Sequence, residues 1–250
     1  MPKPDFFKTS QGRNIAYHKI KGSGPSVVFL GGFMSDMEGT KATYLEAWAR
    51  EKGRAFLRFD YSGHGQSLGR FEDGCIGAWA DDAQEVIEHL TVGPQILVGS
   101  SMGGWIALLM AIRIPQKIAG LVGIAAAPDF TEDSMWGGFS EDQKNTILID
   151  GQLVLESDYS DEPYIITKKL IEDGRNQLVL RAPLSLPFPV RFLHGTADAD
   201  VDISVALKLL GHVSGDDARL TLVKGANHSF SEPENLTMIR RAIHAVTMKA

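Results

Sequence analysis

Residues 97–105 read LVGSSMGGW: two adjacent serines among three glycines, with the apolar run QILV (95–98) leading in and WIALLMAI (105–112) leading out. One register puts glycine two places before and two places after a serine. Gly99, Ser100, Ser101, Met102 and Gly103 fit G-x-S-x-G on Ser101, whereas centring on Ser100 would put Val98 and Met102 at the glycine positions. The pattern has a steric cause. A serine on a sharp strand-to-helix turn is held in a strained backbone conformation with its Oγ exposed, and the residues two before and two after come so close that they must be small. The apolar runs supply the strand and the helix that this turn requires. Ser101 is therefore the candidate nucleophile, and the strand ending at it is expected to lie inside a parallel sheet.

Working outward, the same strand–helix beat recurs. Short strands, most of them apolar runs, are expected at 13–19, 26–30, 55–59, 95–98, 118–125, 189–193 and 220–223, with KGSGP (21–25) as a turn. Helical apolar spacing is expected at 41–52, 78–90, 105–114, 203–210 and 235–248. Strands apolar on both faces, alternating with helices, predict an α/β domain with a mainly parallel central sheet flanked by helices. A chain of 250 residues fits one such domain, here 1–250. Between residues 129 and 187 the beat stops. That stretch holds Trp136, Gly137 and Gly138, a helix candidate ITKKLIEDG (166–174), and the strand-like pair 151–155 and 164–167. Ligands bind outside the carboxyl ends of parallel strands, and this insertion leaves from one, so it is expected to form a small cap rather than an idle crossover.

A serine hydroxyl is a weak nucleophile near neutral pH and needs a general base oriented by an acid. After a strand–turn–helix serine the partners follow in the order Ser, Asp/Glu, His, each beyond a strand. His228, in GANHSF (225–230) after the strand LTLV, has that position. His244 falls inside the last helix, His212 at a helix end where a cation is ordinary, and His194 precedes every late acid at a strand end. For the acid, VRFLHGTADADV (190–201) and the residue after it offer Asp198, Asp200 and Asp202. Asp198 is nearest the strand end and is the choice; Asp202 reads as a helix N-cap, and Asp129 after the preceding strand is the rival. A developing oxyanion needs two fixed N–H donors. The backbone N–H groups of Met102, next after the serine, and Phe33, beyond Gly31 and Gly32, are the candidates. Phe33, Met102, Trp136 and Phe139 are candidates to line an acyl pocket, and Trp105 is read as packing.

A net charge of −6 with no basic run longer than two residues argues against nucleic acid and anionic membrane surfaces as partners. No run approaches the about 18 apolar residues of a membrane helix. A single cysteine, Cys75, excludes an intrachain disulfide and a thiolate cluster and reads as a small apolar filler. His64, between two glycines, has no clustered ligand residues beside it, so no metal and no cofactor are expected. The first residues lack the apolar core of a signal peptide, and a cytoplasmic location is expected. Nothing in the sequence speaks to oligomeric state.

Taken together, RFDYSGHGQS (58–67), GPQILVGSSMGGW (93–105), GLVGIAAAPDF (120–130) and VRFLHGTADADV (190–201) resemble the α/β-hydrolase superfamily. Within it they are similar to the family of the mitochondrial mycophenolic-acid acyl-glucuronide esterase, also described as a palmitoyl-protein thioesterase. The resemblance covers essentially the whole chain and implies the α/β-hydrolase fold with a small cap and a nucleophile, acid and base at Ser101, Asp198 and His228. It also implies an ester or thioester substrate of small-molecule type. Two departures stand out: the first residues do not read as the transit peptide of the mitochondrial members, so a bacterial-type relative is expected, and the cap matches less closely than the core. Acyl transfer, C–C hydrolysis or lyase chemistry on the same triad remain as alternatives, as does a non-catalytic binding protein of this fold.

Overall fold

QILVGS forms a central strand whose six residues are all buried, and the rest of the sheet is laid out around it. The computed structural model describes residues 3–156 and 163–248. From edge to edge the eight-stranded sheet runs β1 (Asp5–Lys8), β2 (Asn14–Ile20), β4 (Arg54–Phe59), β3 (Ser23–Leu30), β5 (Gln95–Ser100), β6 (Ile118–Ile124), β9 (Val190–Gly195), β10 (Ala218–Val223). The six strands from β4 to β10 pair in parallel, while β2 pairs antiparallel with both β1 and β4. Alternation along β5 builds two cores. Ile96 and Val98 join one with Leu45 of α1 (Thr40–Glu51) and Ile239 and Ile243 of α7 (Pro233–Thr247). Leu97 joins the other with Trp79 and Val86 of α2 (Ile76–Leu90) and Trp105 and Leu108 of α3 (Met102–Arg113). Each such fully buried aliphatic side chain contributes about 1.5–3 kcal/mol of apolar burial.

Two local expectations change. The edge strand β1 precedes the strand expected at 13–19; three of its four residues are exposed, so it has no buried face to leave an apolar period. The turn expected at 21–25 shrinks, because β3 begins at Ser23. Gly22 lies against β4, where an added Cβ would sit 2.3 Å from the carbonyl carbon of Arg54. No described helix is long and apolar enough to cross a membrane.

The segment between β6 and β9 leaves the sheet and folds its own elements. A π-helical turn (Thr131–Trp136) leads to α4 (Glu141–Asp150), which opens with a reciprocal box between Ser140 and Gln143 and ends at Gly151 with φ 81°. The antiparallel pair β7 (Gln152–Leu155) and β8 (Tyr164–Thr167) follows, and then α5 (Lys168–Asn176), capped by the Thr167 hydroxyl. Polar anchors tie this segment to the α2–α3 face: Trp105 Nε1 donates to the Gln177 carbonyl at 3.0 Å, and the Gly77 N–H donates to Asp173 at 2.6 Å. The chain closes the sheet through α6 (Ile203–His212) between β9 and β10.

Candidate active site

Ser101 sits between β5 and α3 with φ 53° and ψ −118°, a conformation costing of order 1–3 kcal/mol that persists only where its surroundings over-determine it. Here they do. The Ser101 N–H donates to the Ile124 carbonyl at 2.9 Å, and its own carbonyl accepts from Gly104 and Ala127 at 2.9 and 3.1 Å. The glycine positions are sterically obligatory: a Cβ on Gly99 would lie 2.2 Å from the Gly103 oxygen, and one on Gly103 would lie 2.0 Å from the Leu30 oxygen. The same end of the sheet gathers the other described non-glycine residues with positive φ, namely Met34, Ala125, Asp129 and Phe230. Strained backbone is thus concentrated around the serine.

The candidate base and the candidate acid arrive on two loops held together. Gly195 has no side chain, and a Cβ there would meet the Ala226 oxygen at 2.1 Å. The Ala197 N–H donates to that oxygen at 3.0 Å, and the Gly225 N–H donates to the Thr196 hydroxyl at 3.0 Å. Phe230, fully buried, pins the far end of the histidine loop. His228 Nε2 then lies 3.1 Å from Ser101 Oγ, and its Nδ1 lies 3.0 and 2.9 Å from the two oxygens of Asp198. The Asp198 side chain is 1 % exposed and that of His228 is 25 % exposed. Burial pushes the Asp198 carboxyl up, but the hydrogen bonds from His228 and from the Val201 and Asp200 N–H groups, with the charge of His228, outweigh it and hold it below the usual carboxylate range. Asp198 is therefore an anion fixed on the Nδ1 side, which favours the tautomer whose Nε2 can accept the serine proton.

The rival acid does something else. Asp129 is fully buried and accepts from the Val179 and Leu180 N–H groups at 2.8 and 2.9 Å and from Arg181 at 3.1 Å. Burial raises its carboxyl despite these donors. It clamps the end of the interrupting segment to the end of β6. Asp202 caps α6 through the Ser204 N–H at 2.8 Å, and His194 bonds the Val201 carbonyl at 2.9 Å. Asp198, Asp200 and His228 place possible metal-ligand atoms within 4.8 Å of one another. Both Asp198 oxygens are already engaged by His228 and one by two backbone N–H groups, as in an orienting carboxylate rather than a metal ligand.

A cavity of about 450 Å³ opens at Ser101 and His228, within the usual range for small-molecule sites. One wall is the loop after β3 and the first turn of α1, including Phe33 and Lys41; Gly32 in that loop passes so close that a Cβ would lie 3.5 Å from the Ser101 Cβ. The interrupting segment contributes a mostly apolar lining, with Phe130, Met135, Leu155, Tyr164 and Ile166. Met102 is buried, and its N–H belongs to the first turn of α3, which lacks intrahelical acceptors. Of the four side chains expected to line the pocket, Phe33 does, whereas Met102, Trp136 and Phe139 pack elsewhere. Trp136, for instance, lies under the Arg175 guanidinium at 4.7 Å. The wall residues and Lys41 were not singled out in the sequence. Lys41 had one visible signal, its place in the first turn of the helix after the Gly31–Gly32 loop.

Comparison with known proteins agrees with this architecture. Residues 25–168 match a family model described as the alpha/beta hydrolase fold. The mitochondrial palmitoyl-protein thioesterase ABHD10 of Bos taurus is 36 % identical over 227 residues, covering 90 % of this chain and 74 % of that protein. Among solved structures, a putative hydrolase from Agrobacterium vitis S4 aligns with a TM-score of 0.93 at 38 % identity, over 99 % of this chain and 100 % of the other. Alpha/beta hydrolase domain-containing protein 10 from mouse aligns with a TM-score of 0.90 at 32 % identity, over 98 % of each chain.

Proposed function

Because the chain belongs to the α/β-hydrolase family and is a hydrolase of the esterase and thioesterase type, we propose that it cleaves carboxylic esters or thioesters through an acyl-enzyme on Ser101. The observation that carries this reading is the unbroken relay from Asp198 through His228 to Ser101, at 2.9–3.1 Å, facing a cavity with one apolar wall. His228 Nε2 takes the Ser101 proton as Oγ bonds the acyl carbon. The N–H groups of Phe33 and Met102 receive the oxyanion. His228 then gives the proton to the departing alcohol or thiol, takes one from water as water attacks the acyl-enzyme, and returns it to Ser101 as the acid leaves. Asp198 holds the imidazole and stabilises its cation throughout.

Residues 129–187 act in this reading as the cap, since Phe130, Met135, Leu155, Tyr164 and Ile166 line the cavity together with the β3–α1 loop. An apolar acyl chain fits that lining. A cytoplasmic location belongs to the same proposal and is checked by cell fractionation, with the mitochondrial location carried in the names of the ABHD10 relatives as the contrary outcome. The central test is labelling by a fluorophosphonate probe together with turnover of p-nitrophenyl esters and acyl thioesters. Wild type is expected to label and to turn over, and Ser101→Ala to do neither while keeping its melting temperature. Undiminished turnover in Ser101→Ala would end the proposal.

A further inference from the structure

We propose that a groove at the opposite end of the sheet from Ser101 binds a diphosphate group. The groove, of about 700 Å³, is lined by Trp48 of α1, Lys52 just beyond it, Arg54 at the start of β4, and Arg240, Arg241 and His244 of α7. Ser23, the first residue of β3, also lines it. Ser101 follows the far end of β5, which runs parallel to β3. The eight residues of β3 span roughly 25 Å between the groove and the Gly31–Gly32 loop beside Ser101, so one small ligand does not reach both places. The inference therefore stands apart from the serine-hydrolase reading.

Thr237, Arg240, Arg241 and His244 recur at helical spacing and form one face of α7, while Leu236, Ile239, Ile243 and Val246 bury the other. The fold brings Lys52 and Arg54 against that face. Four cations thus meet in a chain of net charge −6, and among the described residues no carboxylate lines the groove. Glu51, on which Arg240 acts at longer range, is held by Lys52 at 2.7 Å. None of the three arginines has a carboxylate within ion-pairing distance among the described residues. Arg54 donates to the Thr247 hydroxyl at 2.9 Å, and Arg240 lies over the Tyr44 ring at 5.4 Å, both neutral partners. Their Nε atoms are buried without a partner, which leaves the Nη groups as the donors for a ligand. Burial with no compensating charge pulls the Arg54 guanidinium down. Cations at helix C-termini are ordinary, but Arg240 and Arg241 lie mid-helix, about two turns from either end of α7. Three guanidiniums without counter-ions suit a diphosphate, whose oxygens take paired N–H donors and whose charge of about −3 matches theirs; a carboxylate would engage only one.

Isothermal titration calorimetry of the full chain with inorganic pyrophosphate, adenosine diphosphate and acetate tests this, in about 0.1 M salt, where exposed charges are screened beyond about 10 Å. Wild type is expected to bind both diphosphates saturably and at least about tenfold more tightly than acetate. Arg240→Gln combined with Arg241→Gln is expected to weaken diphosphate binding by at least about tenfold. Arg70→Gln combined with Arg219→Gln removes the same charge from exposed side chains elsewhere and is expected to leave binding unchanged. Should the first pair fold poorly, Arg241→Gln alone, at an exposed position, repeats the comparison. Tighter binding of adenosine diphosphate than of pyrophosphate makes the occupant a nucleotide; equality or the reverse order makes it the free diphosphate, and either result supports the site. Binding is read without turnover, so a failure here leaves the proposal for Ser101 untouched. No saturable binding up to millimolar concentration, acetate binding as tight as pyrophosphate, an equal loss in the two double variants, or competitive inhibition of p-nitrophenyl ester turnover by pyrophosphate would each overturn the inference.

Discussion

Two aspartates end neighbouring parallel strands here, and replacing each one by alanine separates what they do. Asp129→Ala removes the acceptor for two buried N–H groups, those of Val179 and Leu180, and for Arg181. Orphaning a buried donor costs about 1–3 kcal/mol, so the two together cost about 2–6 kcal/mol. The carboxylate is itself disfavoured by burial, which returns part of that and leaves a net loss of about 3 kcal/mol. For a chain of 250 residues each kcal/mol moves Tm by about 2–4 °C, so Tm should fall by about 6–12 °C. Below that melting temperature kcat on a small ester should stay near wild type, because Asp129 touches neither His228 nor Ser101. Asp198→Ala should show the converse: kcat lower by about 10³–10⁴, from losing the group that orients the imidazole. Differential scanning calorimetry and steady-state kinetics on both variants provide the readout. A kcat loss in Asp129→Ala comparable to that in Asp198→Ala, or an unchanged Tm, would refute the assignment of Asp129 as a backbone clamp.

Gly103→Ala forces a Cβ to 2.0 Å from the Leu30 oxygen, which is backbone and cannot rotate away. It should cost about 3 kcal/mol in urea unfolding and lower kcat as well, since α3 and the Met102 N–H must shift. His64, buried and pushed down to about 4 by desolvation, is neutral in the folded state. Its contribution to stability is complete above pH 6.5 and is lost as pH falls through 4, a loss of about 3 kcal/mol. Asp60, pushed up to about 6 by burial, works in the opposite sense over the same window. The test is therefore the stability of His64→Asn relative to wild type, which should rise by about 3 kcal/mol between pH 6.5 and pH 4. A pH-independent difference would contradict the neutral, buried histidine.

The parts of the site that the sequence makes legible are those governed by local sterics and chain order. Gly99 and Gly103 are readable because the elbow leaves no room for a Cβ at either position, whatever else the chain does. His228 and Asp198 are readable because each follows a strand in the required order; their 2.9 Å contact depends on Gly195 letting the two loops touch, a long-range fact. The edge strand β1 was not legible, since an exposed strand has no apolar period. The pocket wall was not legible either. Trp136 and Phe139 look like pocket aromatics in sequence, yet they pack against the core, and Phe130, Leu155 and Tyr164 take the wall instead.

Asp129 shows why the boundary falls there. A buried acid just beyond a parallel strand is the right residue in the right place for two different jobs, orienting a histidine or accepting backbone N–H groups. The residue type and its local context are the same for both. What decides is the group that reaches it, and here those groups are Val179 and Leu180, on the return leg of the interrupting segment about fifty positions downstream. The same clamp holds the return leg of the segment whose side chains Phe130, Met135, Leu155, Tyr164 and Ile166 line the cavity at Ser101. In the proposed mechanism, the imidazole and the return leg of this segment are therefore held by separate aspartates. Substitutions that reshape the segment held by Asp129 can alter the choice of acyl group while leaving the Asp198–His228–Ser101 relay intact.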